Sequence, residues 1–148
     1  MNILGFSSNM YGWVERWKTD GKTPEWNETF WTWDELCRFP TKWKQDLKRW
    51  RGIYYIYDQE CKKGYVGSAS GTDNIYQRWT DYSKSGHGGN KLLKELDPSN
   101  FRFSILQIVP HNMGRDELIS LEESWKLRLH THEPLGLNGR AARRLEKP

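Results

Sequence analysis

Two adjacent carboxylates, Glu122 and Glu123, stand in a run of apolar residues spaced for a helix. At about 100° per residue, Leu118, Leu121, Trp125 and Leu129 form one apolar stripe. Glu122 falls at the edge of that stripe, and Glu123 faces solvent. A carboxylate on the packed side of a helix is costly unless it is ion-paired or binds a metal. The pattern leaves both readings open. Tyr54 and Tyr65 lie in two neighbouring strand-like runs, and Arg78 and Tyr82 are spaced i, i+4 on one helical face. A buried Tyr is ordinarily a core aromatic with a bonded hydroxyl, and an Arg is ordinarily a surface residue. Each of these is weak evidence when taken alone.

The elements that would position these residues can be read from periodicity and punctuation. Gly21–Pro24 reads as a turn. Thr32 and Glu35 have capping-box spacing for a short helix ending near Pro40. Thr41 can cap a helix through Trp50, whose apolar stripe is Trp43, Leu47 and Trp50. Gly52–Tyr57 is β-branched and aromatic, hence a strand. Asp58–Lys63 reads as a hairpin turn and Gly64–Gly67 as a second strand. Asp73 or Asn74 can cap a helix through about Ser83, which Ser85–Gly89 breaks. Asn90–Leu96 suggests a short helix, and Asp97–Asn100 a turn. Phe101–Val109 alternates apolar and polar residues as a third strand. Asp116–Thr131 is the longest amphipathic run. From Gly52 onward the order β-β-α-α-β-α predicts a small α+β domain: a three-stranded antiparallel sheet flanked by helices.

The chain has 148 residues, 28% charged and 36% apolar. That suits one soluble domain with a real core and excludes collagen, coiled coil and long disorder. No apolar run approaches a membrane span, and Met1–Met10 lacks the features of a signal peptide. Cys37 and Cys61 make no disulfide framework, and no Cys/His cluster has zinc spacing. A cytoplasmic protein is expected. The net charge of +4 hides an uneven distribution. Residues 38–51 carry 6 basic groups against 1 acidic, and residues 139–148 carry 4 against 1, around a nearly neutral body. Seven of nine tryptophans lie in the first fifty positions. They suggest either core packing or base stacking on single strands.

Taken together, the residues resemble the GIY-YIG nuclease superfamily. Gly52-Ile53-Tyr54 matches the first motif, and Tyr65-Val66-Gly67 matches the second with Val for the usual Ile. Arg78 matches the Arg of the first helix, Tyr82 the His or Tyr one turn later, Glu122 the Glu of a Leu-Glu pair, and Asn138 the closing Asn. The resemblance covers about 51–138. It divides the chain into a Trp-rich, mainly helical extension (1–50) packing on the core, a nuclease domain (51–138) and a basic tail (139–148).

The resemblance implies cleavage of a phosphodiester with one divalent cation, Mg²⁺ or Mn²⁺, per active site. Glu122 would be the sole protein carboxylate on that cation, which suits an ion that keeps most of its waters. The cation and Arg78 would stabilise charge on the phosphate oxygens. Tyr54 would accept a proton from the attacking water, with Tyr65 orienting and Tyr82 contacting the phosphate or the leaving side. Asn138 completes the set, and Lys63 and His87 are outer candidates. His111, His130 and His132 read as surface. Lys42, Lys44, Lys48, Arg49 and Arg51, Ser68 and Asn90, and Arg140, Arg143 and Arg144 with Lys147 of the tail are candidate nucleic-acid contacts. The expected partner is DNA, with RNA as the alternative, no membrane, and a homodimer if both strands are cut. The competing reading is a nucleic-acid-binding module without catalysis.

Overall fold

The computed structural model describes residues 25–140, and the Trp13, Trp17, Arg143, Arg144 and Lys147 expectations lie outside the described residues. The strands are β1 (Trp31–Thr32), β2 (Gly52–Asp58), β3 (Lys63–Ala69) and β4 (Phe101–Ile108). The helices are α1 (Trp33–Leu36), α2 (Thr41–Arg49), α3 (Asn74–Ser85), α4 (Lys91–Lys94) and α5 (Arg115–Leu129). The fold is α+β, an antiparallel sheet flanked by helices, in strand order β1-β4-β2-β3. The sheet therefore has four strands, where the sequence suggested three. The extra strand is the two-residue β1, which pairs Trp31 with Phe103 and Thr32 with Arg102. Two residues carry no readable periodicity. Only the partner strand, some seventy positions on, makes them a strand.

Alternation within the strands sorts the core into two layers. Tyr54, Ile56, Phe101, Phe103 and Ile105 point to one face, where they meet Trp31, Trp43 and Leu47, Ile75, Trp79 and Tyr82. Ile53 and Val66 point to the other, against Val109 and Leu118, with Leu121 and Trp125 of α5 partly buried beside them. The tryptophans before residue 51 thus divide. Trp31 and Trp43 are fully buried, and Trp26, Trp33 and Trp50 pack partly buried against the same core.

Local signals explain several boundaries. Thr32 and Glu35 form the expected capping box at α1, each side chain bonding the other's backbone N–H. α2 starts after Pro40 with no side-chain cap, so Thr41 opens that helix and does not cap it. α3 likewise has no capping side chain. Asn74 adopts φ +48° and turns its amide to donate to the Lys48 carbonyl at 2.7 Å. That bond ties the start of α3 to the end of α2. Among the described residues no helix is long and apolar enough to cross a membrane.

Candidate active site around the edge strand

Tyr54 points from β2 toward α3 and is fully buried. Its cross-strand neighbour is Gly67, where a Cβ would come within 2.5 Å of the phenol. The glycine that ends Tyr65-Val66-Gly67 is therefore the space the Tyr54 ring occupies. Trp79 and Tyr82 of α3 hold that ring edge-on at 6.3 and 6.2 Å. Behind Tyr82 lies Gly88, at φ +53°, where a Cβ would stand 2.8 Å from the Tyr82 ring. The Gly-rich loop after α3 can press on that ring because it carries no side chain there.

The hydroxyls form one connected chain. Arg78 hydrogen-bonds Tyr54, Tyr54 meets Tyr82 at 3.2 Å, and Tyr82 hydrogen-bonds Tyr65. A guanidinium only donates, so the Tyr54 oxygen accepts from Arg78. Either hydroxyl can donate in the Tyr54–Tyr82 bond. Tyr65, half-buried, is the most exposed phenol of the three. Burial pushes the Tyr54 and Tyr82 phenols far above their ordinary range, and the neighbouring phenol adds to this in each case. Arg78 is held charged chiefly by Tyr54, while its own side chain remains 37% exposed beside Asp81.

Glu122 lies across β3 from this cluster. Ser68 is on β3, three residues or about 10 Å along the strand from Tyr65, and its side chain leaves the opposite face. Its hydroxyl donates to Glu122 Oε1 at 2.5 Å. Lys126 Nζ bridges Glu122 Oε2 at 2.8 Å and lies 4.0 Å from Glu123 Oε1. Glu123 Oε2 bonds His132 Nε2 at 2.7 Å, and His132 Nδ1 faces the Gly139 carbonyl at 2.5 Å. Two expectations are corrected here. Glu123 does not face open solvent, since its side chain is as covered as that of Glu122, at 19% and 20% exposure. His132 is not a simple surface residue. The helical wheel omits the segment after α5, which turns back at His130 (φ +56°) and brings His132 onto Glu123.

That returning segment also closes part of the sheet edge. The Leu137 N–H donates to the Gly64 carbonyl at 2.8 Å. The Asn138 amide accepts from the Val66 N–H at 2.9 Å and donates to the Val66 carbonyl at 3.0 Å. A single side chain thus replaces a neighbouring strand beside Tyr65. Asn138 is buried, and its bonds hold β3 in place.

The remaining candidates are spread over the molecule. Asn90 spends its side-chain oxygen capping α4 at Leu93 N. His87 Nδ1 accepts from the Gly89 N–H within its own loop. Lys63 opens β3 opposite Asp58. Arg51 donates to the carbonyls of His111 and Met113, and Arg49 pairs with Asp46. Lys48 lies over the Tyr76 ring at 5.1 Å. Lys42 and Arg140 are exposed, and Lys44 is partly covered. Sequence reasoning missed Lys126, although its i, i+4 spacing from Glu122 was a readable sign of an ion pair.

Among the described residues no group of three or more His, Cys, Asp or Glu is placed to hold a metal ion. The available donor set is the single carboxylate of Glu122, partly exposed and next to a hydroxyl. That set fits a hard cation that keeps most of its water shell.

No curated protein matches the chain significantly. The solved catalytic domain of the homing endonuclease I-TevI is 27% identical over 62% of this chain and 99% of that one, with a TM-score of 0.49. The GIY-YIG catalytic domain family matches residues 50–134. That match takes in both tyrosine motifs, Arg78, Tyr82 and Glu122, over more than half of the sequence, and the chain belongs to the GIY-YIG catalytic domain family.

Proposed function

We propose that the protein is an endonuclease that hydrolyses phosphodiester bonds in DNA, aided by one divalent cation, Mg²⁺ or Mn²⁺. The observation that supports this reading is the pairing of two unlike groups around one edge strand. A phenol chain anchored on Arg78 ends at Tyr65 on one side, and Glu122 is tied to Ser68 on the other.

In this reading Tyr65 takes the proton of the attacking water. Tyr54 was the residue expected to do so, but it is fully buried with its hydroxyl engaged on both sides. Tyr65 is the most exposed phenol of the group, where an attacking water can meet it. Arg78 keeps one edge on Tyr54 and offers the other to a phosphate oxygen, where a fixed cation opposes growing negative charge. Glu122 would hold the cation, whose chemistry there is that of a Lewis acid on the scissile phosphate. Ser68 orients that carboxylate, and Asn138 keeps β3 in register beside both groups. The exposed basic side chains Lys42, Lys48 and Arg49 of α2, and Arg140, offer phosphate contacts, which position a duplex without reading its sequence. One such site cuts one strand, so a double-strand break requires a second copy or a second encounter.

The test is a substrate panel of supercoiled plasmid, single-stranded DNA and RNA, incubated with Mg²⁺ or with EDTA. Nicked plasmid in Mg²⁺ and intact plasmid in EDTA is the expected result. Cutting of RNA alone would move the substrate class. Binding without cutting under every condition would replace the enzyme with a binding module.

A further inference from the structure

Lys126 has no part in the phenol chain, yet it is the cation paired directly with Glu122. Its side chain is only 18% exposed and lies between two carboxylates, at 2.8 Å from Glu122 and 4.0 Å from Glu123. An ordinary surface pair at i, i+4 is more open to water and needs no second acceptor. Here a second acceptor is in place, one residue along and almost equally covered. Glu123 is itself braced by His132, whose other ring nitrogen is fixed on the Gly139 carbonyl. The second carboxylate is therefore held in a defined position.

We propose that Lys126 is a placeholder cation: it neutralises Glu122 while the divalent ion is absent and moves to Glu123 when the ion binds. The proposal rests on the reading of Glu122 as the cation's ligand. Glu122 without a cation would be a partly covered carboxylate beside a second one, which raises the cost of both charges. The Lys126 ammonium removes that cost. A divalent ion on Glu122 would repel the ammonium, which would then need another carboxylate within reach. A change of side-chain torsion spans the difference between 2.8 and 4.0 Å, and the four-carbon lysine stem supplies it. The pair thus trades some affinity for the ion against a stable site without it.

The experiment measures Mn²⁺ binding to the 148-residue chain without nucleic acid, by the loss of the free-ion electron paramagnetic signal. Wild type, Lys126→Gln, Lys126→Met, Glu123→Gln, the Lys126→Gln/Glu123→Gln double variant and Glu122→Gln are compared, with thermal melts to establish that each is folded. Removing the competing ammonium should tighten Mn²⁺ about tenfold in both Lys126 variants, since a unit charge a few ångströms away acts at about that scale. Glu123→Gln should weaken binding in the wild type and do so by several-fold less when Lys126 is already Gln, because the parking place then has no occupant. Unchanged or weaker Mn²⁺ binding in both Lys126 variants would overturn the placeholder role. If Glu122→Gln binds as wild type does, the fault lies instead with Glu122 as ligand, and the placeholder falls with it.

Discussion

The two sides of β3 are built on opposite principles. On the α3 side, the reactive groups are phenols sealed into the aromatic core, where Tyr54, Tyr82, Trp79 and Phe103 hold one another edge to face. Their hydrogen bonds have little freedom to rearrange. On the α5 side, the groups are charged, about one-fifth exposed and joined by ion pairs that can exchange partners. The buried side can hold its phenols in place before any substrate arrives. The charged side can admit an ion and compensate for it. One edge strand carries both, because successive residues of a strand point to opposite faces.

Substitutions on the two sides should therefore fail in different ways. The largest effect is expected from Glu122→Gln, which removes the carboxylate's charge but keeps its bond to Ser68. Nicking should fall by about 10³-fold with little change in melting temperature, on the several kcal/mol that a bound cation supplies. Arg78→Ala should cost about 10²-fold in rate, the scale of one lost charge-stabilising donor. It should also lower stability, because the Tyr54 oxygen loses its donor.

Tyr82→Phe separates the two sides most cleanly. It leaves the buried Tyr54 hydroxyl without its Tyr82 partner, which costs about 1–3 kcal/mol in a urea unfolding curve. It should also slow nicking by about tenfold, since the chain no longer reaches Tyr65. Mn²⁺ binding should be unchanged. The smallest effect is a pH dependence confined to the buried side. Tyr54 and Tyr82 keep their protons in the fold, while an unfolded phenol loses its proton near pH 10. The stability they contribute is fully present below about pH 10 and falls as the pH rises above it. Urea midpoints from pH 9 to 11 should drop in wild type and drop less in Tyr82→Phe.

Much of the buried side was legible in the sequence. The two tripeptide motifs put Tyr54 and Tyr65 on neighbouring strands, and i, i+4 spacing put Arg78 and Tyr82 on one face. The charged side was legible only at Glu122. A helical wheel describes one helix and its nearest turn, so it missed the return of residues 131–139 that covers Glu123 with His132. It also gave no sign that Asn138 would serve as a substitute strand for Val66. Strand β1 escaped for the same reason: its pairing with β4 is a contact across some seventy residues, and nothing local in Trp31 and Thr32 announces it. In each case the missing information was a long-range contact.

Catalysis in this reading depends on Tyr65, the phenol of the cluster that meets water. The most direct test is the nicking rate of Tyr65→Phe on supercoiled plasmid in Mg²⁺, beside wild type at equal protein. Removing a proton acceptor should cost about 10²-fold or more, and the melting temperature should also fall, because the buried Tyr82 hydroxyl loses a partner. A Tyr65→Phe protein that nicks at the wild-type rate would contradict it.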